Sequence, residues 1–322
     1  MVSLVGDGIE NPANATALTE AAEMFAVPCR FRDSRDLASH LPGLSTVDTA
    51  GLLATPIVAV DNAPGAESVY NIRRVHDGAS IVVGNERRGI RPDLLRAAAH
   101  TVQIPMPGRG VNTLNVATAA AVALYYLGGA TGRRPARRSS RPGVLLAAPR
   151  DHVEAGSSLR SAAAFGWSAV AVEDRDKVWF GTPRPLRAES RAAARSHRNP
   201  LRVFPSEGPD PVYSRIVVCS PTSDGPPVHR TDLTGTGTLV VIPDEGWEPP
   251  PSRAVEWARV DVPGVPGRYR LVTGIVLAEV ARQLGEPAKA RPPRRGLSYG
   301  SELDLAAPDG GELLFPWELG QY

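Results

Sequence analysis

Three stretches decide how this chain folds: IVVGNERRG at 81–89, IPM at 104–106 and NTLNVATAAAVAL at 112–124. The first runs from β-branched residues into a segment bounded by Gly84 and Gly89. Glycine enters positive φ without steric penalty and lets a backbone approach closely, so this reads as a strand ending in a sharply turned loop. The second is a short apolar segment closing another β-rich run, and the third passes through Thr113, Leu114 and Asn115 into an alanine- and leucine-rich helix.

Outward from these stretches the same rhythm continues. Up to residue 128, β-rich runs at 54–60, 80–83 and 101–104 alternate with helical patterns at 15–26, 92–99 and 114–127. That alternation predicts an α/β domain with a parallel sheet. The segment GGATGRRPARRSSRPG at 128–143 has no apolar periodicity and reads as an exposed linker. Beyond it come strands at 144–147, 168–172, 216–219, 238–242 and 258–262 and helices at 156–165, 186–196 and 272–284. The expected division is a first domain at 1–128, a linker at 129–142, a second domain at 143–286 and a tail at 287–322, whose apolar LLFPWEL at 313–319 docks back on the body.

Composition sets the bounds. A chain of 322 residues, 42% hydrophobic and 22% charged, is long enough for two domains, each with its own core. It has neither an apolar run long enough to span a membrane nor a secretory leader pattern, so a cytoplasmic protein is expected. The two cysteines, Cys29 and Cys219, have no metal-ligand spacing and are expected to be reduced and buried, with no disulfide and no metal. Residues 1–128 hold 10 Arg against 12 acids, and 129–141 hold five Arg and no acid. The positive surplus therefore sits in the linker, not in the broad basic footprint of a protein that grips many phosphates.

The two halves read as an internal repeat. Setting 12–26 beside 152–166 pairs Asn14 with Glu154, Thr16 with Gly156 and Glu20 with Arg160. Setting 82–89 beside 241–248 pairs Glu86 with Glu245, and 112–119 beside 269–276 pairs Asn115 with Val272.

The ordered trio resembles the cofactor-binding end of the SpoU/TrmH branch of the SPOUT methyltransferases. The resemblance implies two tandem SPOUT-like domains, each a trefoil-knotted, Rossmann-like parallel sheet, forming an intramolecular pseudo-dimer. Members bind S-adenosylmethionine in the knotted loops and work as dimers, with an early-motif arginine of one subunit reaching the cofactor of the other. The first half keeps Gly84, Glu86, Gly89, Ile104, Pro105, Met106, Leu114, Asn115 and Val116, with Thr113 for the usual serine, but has Glu20 at the arginine position. The second half keeps Gly156, Arg160, Ala162 and Gly166, but its loops read PDEGWEPP and VPGVPGRYRLVTG. Each half has lost what the other retains, which implies one working site built from the first knot and Arg160.

By the same resemblance, Val83, Gly84, Asn85, Glu86, Gly89, Ile104, Met106, Leu114 and Asn115 hold the cofactor. Arg160, Glu86, Thr113 and Asn115 serve catalysis, and His152 and Glu154, standing where the family carries asparagine, meet the acceptor; Arg87, Arg88 and Arg91, directly after Glu86, read either as meeting the acceptor's phosphates or as a solvated loop. A guanidinium offers donors only and stays charged, so Arg160 is expected to stabilise a developing alkoxide or hold a phosphate instead of acting as a base; the plain alternative is a surface arginine on a helix. Arg187, Arg191, Arg195 and Arg198 share a helix face, as a nucleic-acid track or as a solvated stripe. The leading expectation is an S-adenosylmethionine-dependent methyltransferase acting on the 2′-O-ribose of tRNA or rRNA, monomeric because its dimer interface lies within the chain. Near-neutral halves and the altered early motif keep a small-molecule acceptor open, and a catalytically silent RNA-binding scaffold is the third reading.

Overall fold

The computed structural model describes residues 1–32, 37–72, 75–85, 88–107, 113–130, 140–183 and 201–285, and the backbone at 312–314. These fall into two compact units, both discontinuous in sequence. The first holds the described residues of 1–105, 115–130 and 262–271; the second holds those of 106–114, 140–261 and 272–285. The segments before two late helices, 106–114 and 262–271, are thus each grouped with the unit formed mainly by the other half of the sequence.

The first unit is a parallel sheet of β1 (Ser3–Asp7), β2 (Cys29–Arg32), β3 (Ile57–Val60), β4 (Glu67–Ser68), β5 (Ser80–Gly84) and β6 (His100–Gln103), ordered β2-β1-β5-β3-β6-β4. Central β5 pairs with β1 through Val5↔Val82 and with β3 through Ala59↔Val82. Its run of buried residues is what a strand covered on both faces requires. One face is closed by Val5, Leu52, Ile57, Ala59, Val82, Ile90 and Leu94, which include residues of α3 (Thr49–Leu53) and α4 (Pro92–Ala97); α2 (Leu37–His40) is a single turn. The helices α1 (Pro12–Met24) and α5 (Val116–Leu127) pack together. Eleven of the residues of α5 are buried, from Val116 to Leu127, so this helix is interior on nearly all sides.

The second unit has β7 (Gly143–Ala147), β8 (Ala169–Glu173), β9 (Leu201–Pro205), β10 (Arg215–Ser220), β11 (Thr238–Pro243) and β12 (Glu256–Arg259), with α6 (His152–Ala164) and α7 (Tyr269–Gln283). The order is β12-β10-β11-β7-β8-β9, and β13 (Glu312–Leu314) adds an antiparallel strand on β9. Read from the other edge, β8-β7-β11-β10-β12 repeats β2-β1-β5-β3-β6 strand for strand, all parallel.

The repeat extends to backbone detail. Asn11 caps α1 and Asp151 caps α6 through their side chains, each accepting a backbone N–H of the first turn. Gly8 and Ala148, after the equivalent strands β1 and β7, have φ of 66° and 51°. Ala26 and Gly166, after the equivalent helices, have φ of 52° and 89°. Two halves of different sequence thus keep the same left-handed turns.

The expected strands and helices in the described residues are found, with shifted ends. Strands β1, β2, β4, β9 and β13 and the short helices α2 and α3 are additions to the elements expected from sequence. The predicted helix at 186–196 and the arginine stripe on it lie outside the described residues, as do 315–319 of the apolar tail segment. Cys219 is buried and Cys29 half-buried, both free thiols. Burial pushes the Cys29 thiol up to about 12. No described helix is long and apolar enough to cross a membrane, and no cluster of metal-ligating residues occurs among the described residues.

Because an alanine in the left-handed region carries a steric cost that glycine avoids, Ala26→Gly is expected to raise unfolding stability by up to about 1 kcal/mol. Gly166→Ala is expected to lower it by about the same amount. Urea titration of both variants reads the two signs; equal signs would show that the turn conformation does not govern either site.

Candidate functional site

In the first unit, the end of β5 carries the loop that the sequence marked. Asn85 and Gly89 exchange backbone hydrogen bonds, Gly89 N to Asn85 O at 2.8 Å and Asn85 N to Gly89 O at 3.2 Å, which closes the loop. Gly89 has a φ of 67°. A Cβ on Gly84 would lie 2.2 Å from the carbonyl carbon of Gly89 and 2.3 Å from the nitrogen of Ile90, so no side chain fits there without moving the backbone. The Asn85 amide donates to Gly8 O at 2.7 Å and its oxygen accepts from Arg88 N at 3.2 Å, tying this loop to the end of β1. Val83 is a core residue of β5. Arg88 is ion-paired with Glu10. Glu86 and Arg87 lie outside the described residues.

Residues that the sequence did not single out support this loop. The Asp7 carboxylate, 1% exposed at the end of β1, accepts from Arg32 Nε at 3.2 Å and from Arg91 N at 3.0 Å. Burial pushes Asp7 above the usual carboxylate range, opposed by the Arg91 N–H and by Arg32. Asp61, just past β3, accepts from Ile90 N at 3.5 Å and is also pushed up by burial. The apolar-to-acid step in SLVGD is a faint sequence signal for Asp7. Nothing local announces Asp61, which meets Gly89 and Ile90 only through the strand order.

Ile104 is buried in the first unit, in the irregular segment after β6. Asn115, 5% exposed, is the N-cap of α5: its side-chain oxygen accepts from Ala117 N at 2.9 Å and its amide donates to Asn14 Oδ1 at 3.3 Å. The asparagine read from sequence as a reacting-site residue thus also starts a helix, and its partner is the asparagine of the early segment.

In the second unit, α6 presents Arg160, 7% exposed. Its Nε donates to Thr113 O at 3.0 Å; its Nη2 donates to Thr113 Oγ1 at 3.0 Å and to Leu114 O at 2.9 Å. Met106 and Leu114 are buried in the same unit. Arg160 is therefore no surface arginine: it clasps the main chain of the segment before α5. Of the residues expected beside it, Glu154 is buried in the first turn of α6, its N–H capped by Asp151, and His152 is half-buried.

The corresponding positions in the other copy are built differently. Glu20 on α1 accepts from Arg268 Nε at 2.7 Å and lies 3.8 Å from Arg270 Nη2, all within the first unit. Where β5 ends in Gly84, β11 ends in Pro243; Asp244 accepts from Arg150 N at 3.1 Å, and Trp247 donates to Glu173 at 2.7 Å. A proline and a buried indole stand where the first copy has Gly84 and Arg88.

Against known proteins, residues 1–125 match the sequence model of the SpoU rRNA Methylase family. That stretch contains Gly84, Gly89, Ile104 and Asn115, so the match falls on the first copy of the repeat. No curated protein matched the chain. Among solved structures, the SpoU methyltransferase AviRb from Streptomyces viridochromogenes, in complex with AdoMet, is 20% identical, over 39% of this chain and 58% of that one, with a TM-score of 0.33. The A. aeolicus TrmH/SpoU tRNA modifying enzyme is 21% identical over 39% and 73%, with a TM-score of 0.34. A protein described in work on 2-OH methylation of C/U34 on tRNA is 28% identical over 40% and 89%, with a TM-score of 0.33. The chain spans little more than half the length of AviRb.

A carboxyl whose pKa is raised on folding costs stability when ionised, and that cost disappears as pH falls through the raised value. Asp61→Asn is therefore expected to raise the melting temperature at pH 7, with a gain that shrinks toward pH 4. Thermal melts at the two pH values test this; a gain that grows on acidification would show that Asp61 is held in favour of its charged form.

Proposed function

We propose that the chain is an S-adenosylmethionine-dependent methyltransferase that modifies the 2′-O-ribose of RNA, with one composite site made by the first-copy loops and Arg160. The observation that carries this reading is the clasp of Arg160 on Thr113 and Leu114. It joins the one early-motif arginine of the chain to the one loop segment that keeps the Thr-Leu-Asn pattern. The SpoU family match over residues 1–125 supports the reaction class and the RNA acceptor. The two halves, 1–128 and 143–286, are proposed to form an internal pseudo-dimer with knotted loops, so that a single chain suffices.

The residues fit the cofactor. Gly84 lacks the Cβ that would push the 84–90 loop out of shape. Ile104, Met106 and Leu114 offer apolar walls with main-chain groups for the polar edge of an adenine, as concave cofactor sites commonly do. When bound, the cofactor supplies an activated methyl group. The chain's own residues then hold the acceptor in line and help its hydroxyl lose a proton. Arg160 cannot accept that proton. Fixed by three hydrogen bonds before any acceptor arrives, its guanidinium is a preorganised charge that favours the developing alkoxide or holds an adjacent phosphate. Thr113 and Asn115 position that guanidinium and the start of α5, and Glu86 is assigned to orienting the nucleophile or cofactor. Because Arg160 also shapes the 113–114 main chain, removing it is expected to weaken cofactor binding as well as turnover.

Transfer of tritiated methyl groups to bulk RNA, followed by nuclease digestion to nucleosides, tests the reading. Arg160→Ala should reduce the rate by roughly a hundredfold or more, the scale of losing one transition-state donor, while Glu20→Ala leaves it within about twofold. The opposite pattern would place the working site in the other copy. Label in 2′-O-methyl nucleosides supports the acceptor; label only in small metabolites would shift the acceptor class, and no transfer at all would favour a silent scaffold. Gly84→Ala should abolish S-adenosylmethionine binding while the fold, read by circular dichroism, is retained.

A further inference from the structure

The two clasps occupy equivalent places in the repeat and carry opposite charges. Arg160 on α6 holds Thr113 and Leu114. At the matching position on α1 stands Glu20, and at the position matching Thr113 stands Arg270, with Arg268 beside it. Glu20 meets both arginines, Arg268 at 2.6 Å and Arg270 at 3.8 Å. The loop carrying them is seated closely on the end of α1: Gly264 N donates to Met24 O at 3.0 Å, and a Cβ on Gly264 would lie 1.9 Å from Glu23 O. Each segment belongs to the unit of the helix that clasps it.

We propose that the former second site has become a charge code that fixes which loop each helix accepts, so that the halves of one chain pair with each other and not with the same half of another copy. This rests on the reading of the chain as a fused pseudo-dimer. If two first halves met, Glu20 would face the carbonyls of Thr113 and Leu114, all acceptors like itself; only the Thr113 hydroxyl could donate to it, in place of the three hydrogen bonds that Arg160 makes there. If two second halves met, Arg160 would face Arg268 and Arg270, three like charges in one place. The Glu20 pairs are partly exposed, Arg268 at 52%, so their attraction adds little stability. Their effect is selective: wrong partners are rejected by like charge and unmatched acceptors.

The test uses full-length chains. Glu20→Arg in one tagged chain, and Arg268→Glu with Arg270→Glu in a second chain with a different tag, each break the code in cis and complement one another in trans. Co-expressed, they are expected to yield a dimer of twice the chain mass carrying both tags, while wild-type chains with the two tags remain separate monomers. The three substitutions together in one chain re-form the ion pair with its signs reversed and should restore the melting temperature. The proposal is overturned if the two folded variants stay apart, if wild-type chains mix as readily, or if the triple variant fails to recover the stability lost by Glu20→Arg. Should the single-code variants not fold, the triple variant alone decides. The readout is mass and tag content, so a failure here is distinguishable from a failure of the methyltransferase reading.

Discussion

The guanidinium of Arg160 lies almost out of solvent and gives its protons to two main-chain carbonyls and a threonine hydroxyl. A charged group is costly to bury unless its donors are met, and here those acceptors belong to residues some 46 positions earlier in the chain. The two residues that lead into the cap of α5 are therefore held by a side chain of α6. Much else follows from this constraint. Asn115 caps α5 directly after the clasped residues, and its amide reaches Asn14 on α1. The helix so started is nearly all buried and packs on α1, whose own cap, Asn11, stands after the end of β1.

A second set of constraints shapes the β5 loop. Gly84 has no room for a Cβ, and Asn85 ties the loop to Gly8. Asp61 and Asp7 accept the N–H groups of Ile90 and Arg91 at its far end. Both carboxyls are pushed above their usual range by burial, so the loop is held at some cost in stability. The other copy shows what happens when that demand is absent. Pro243, Asp244 and Trp247 fill the equivalent loop with a rigid residue, a cap and a core indole.

The sheet rhythm and the repeat were legible in sequence because they rest on local patterns: β-branched runs, alanine-rich helices, and the three blocks in the same order. The strand order β8-β7-β11-β10-β12 reproducing β2-β1-β5-β3-β6 gives that repeat a physical form. Strands β1, β2 and β9 escaped because the runs at 3–7, 29–32 and 201–205 mix charged or polar residues with apolar ones. The marked loop residues came from motif spacing, but Asp7, Arg32 and Asp61 did not, since their partners lie 25 to 84 positions away. The sequence pairing of Glu20 with Arg160 exposed the charge reversal; only the contacts revealed that Arg268 and Arg270 meet Glu20.

The most direct measurement of the central claim is calorimetric titration of the purified full-length protein with S-adenosylhomocysteine, the product of methyl transfer from the proposed cofactor. One composite site predicts a stoichiometry of one per chain, with binding retained when Trp247 or Glu20 is substituted. Two sites per chain, or binding that depends on the second-copy loop and not on Gly84, would contradict the account.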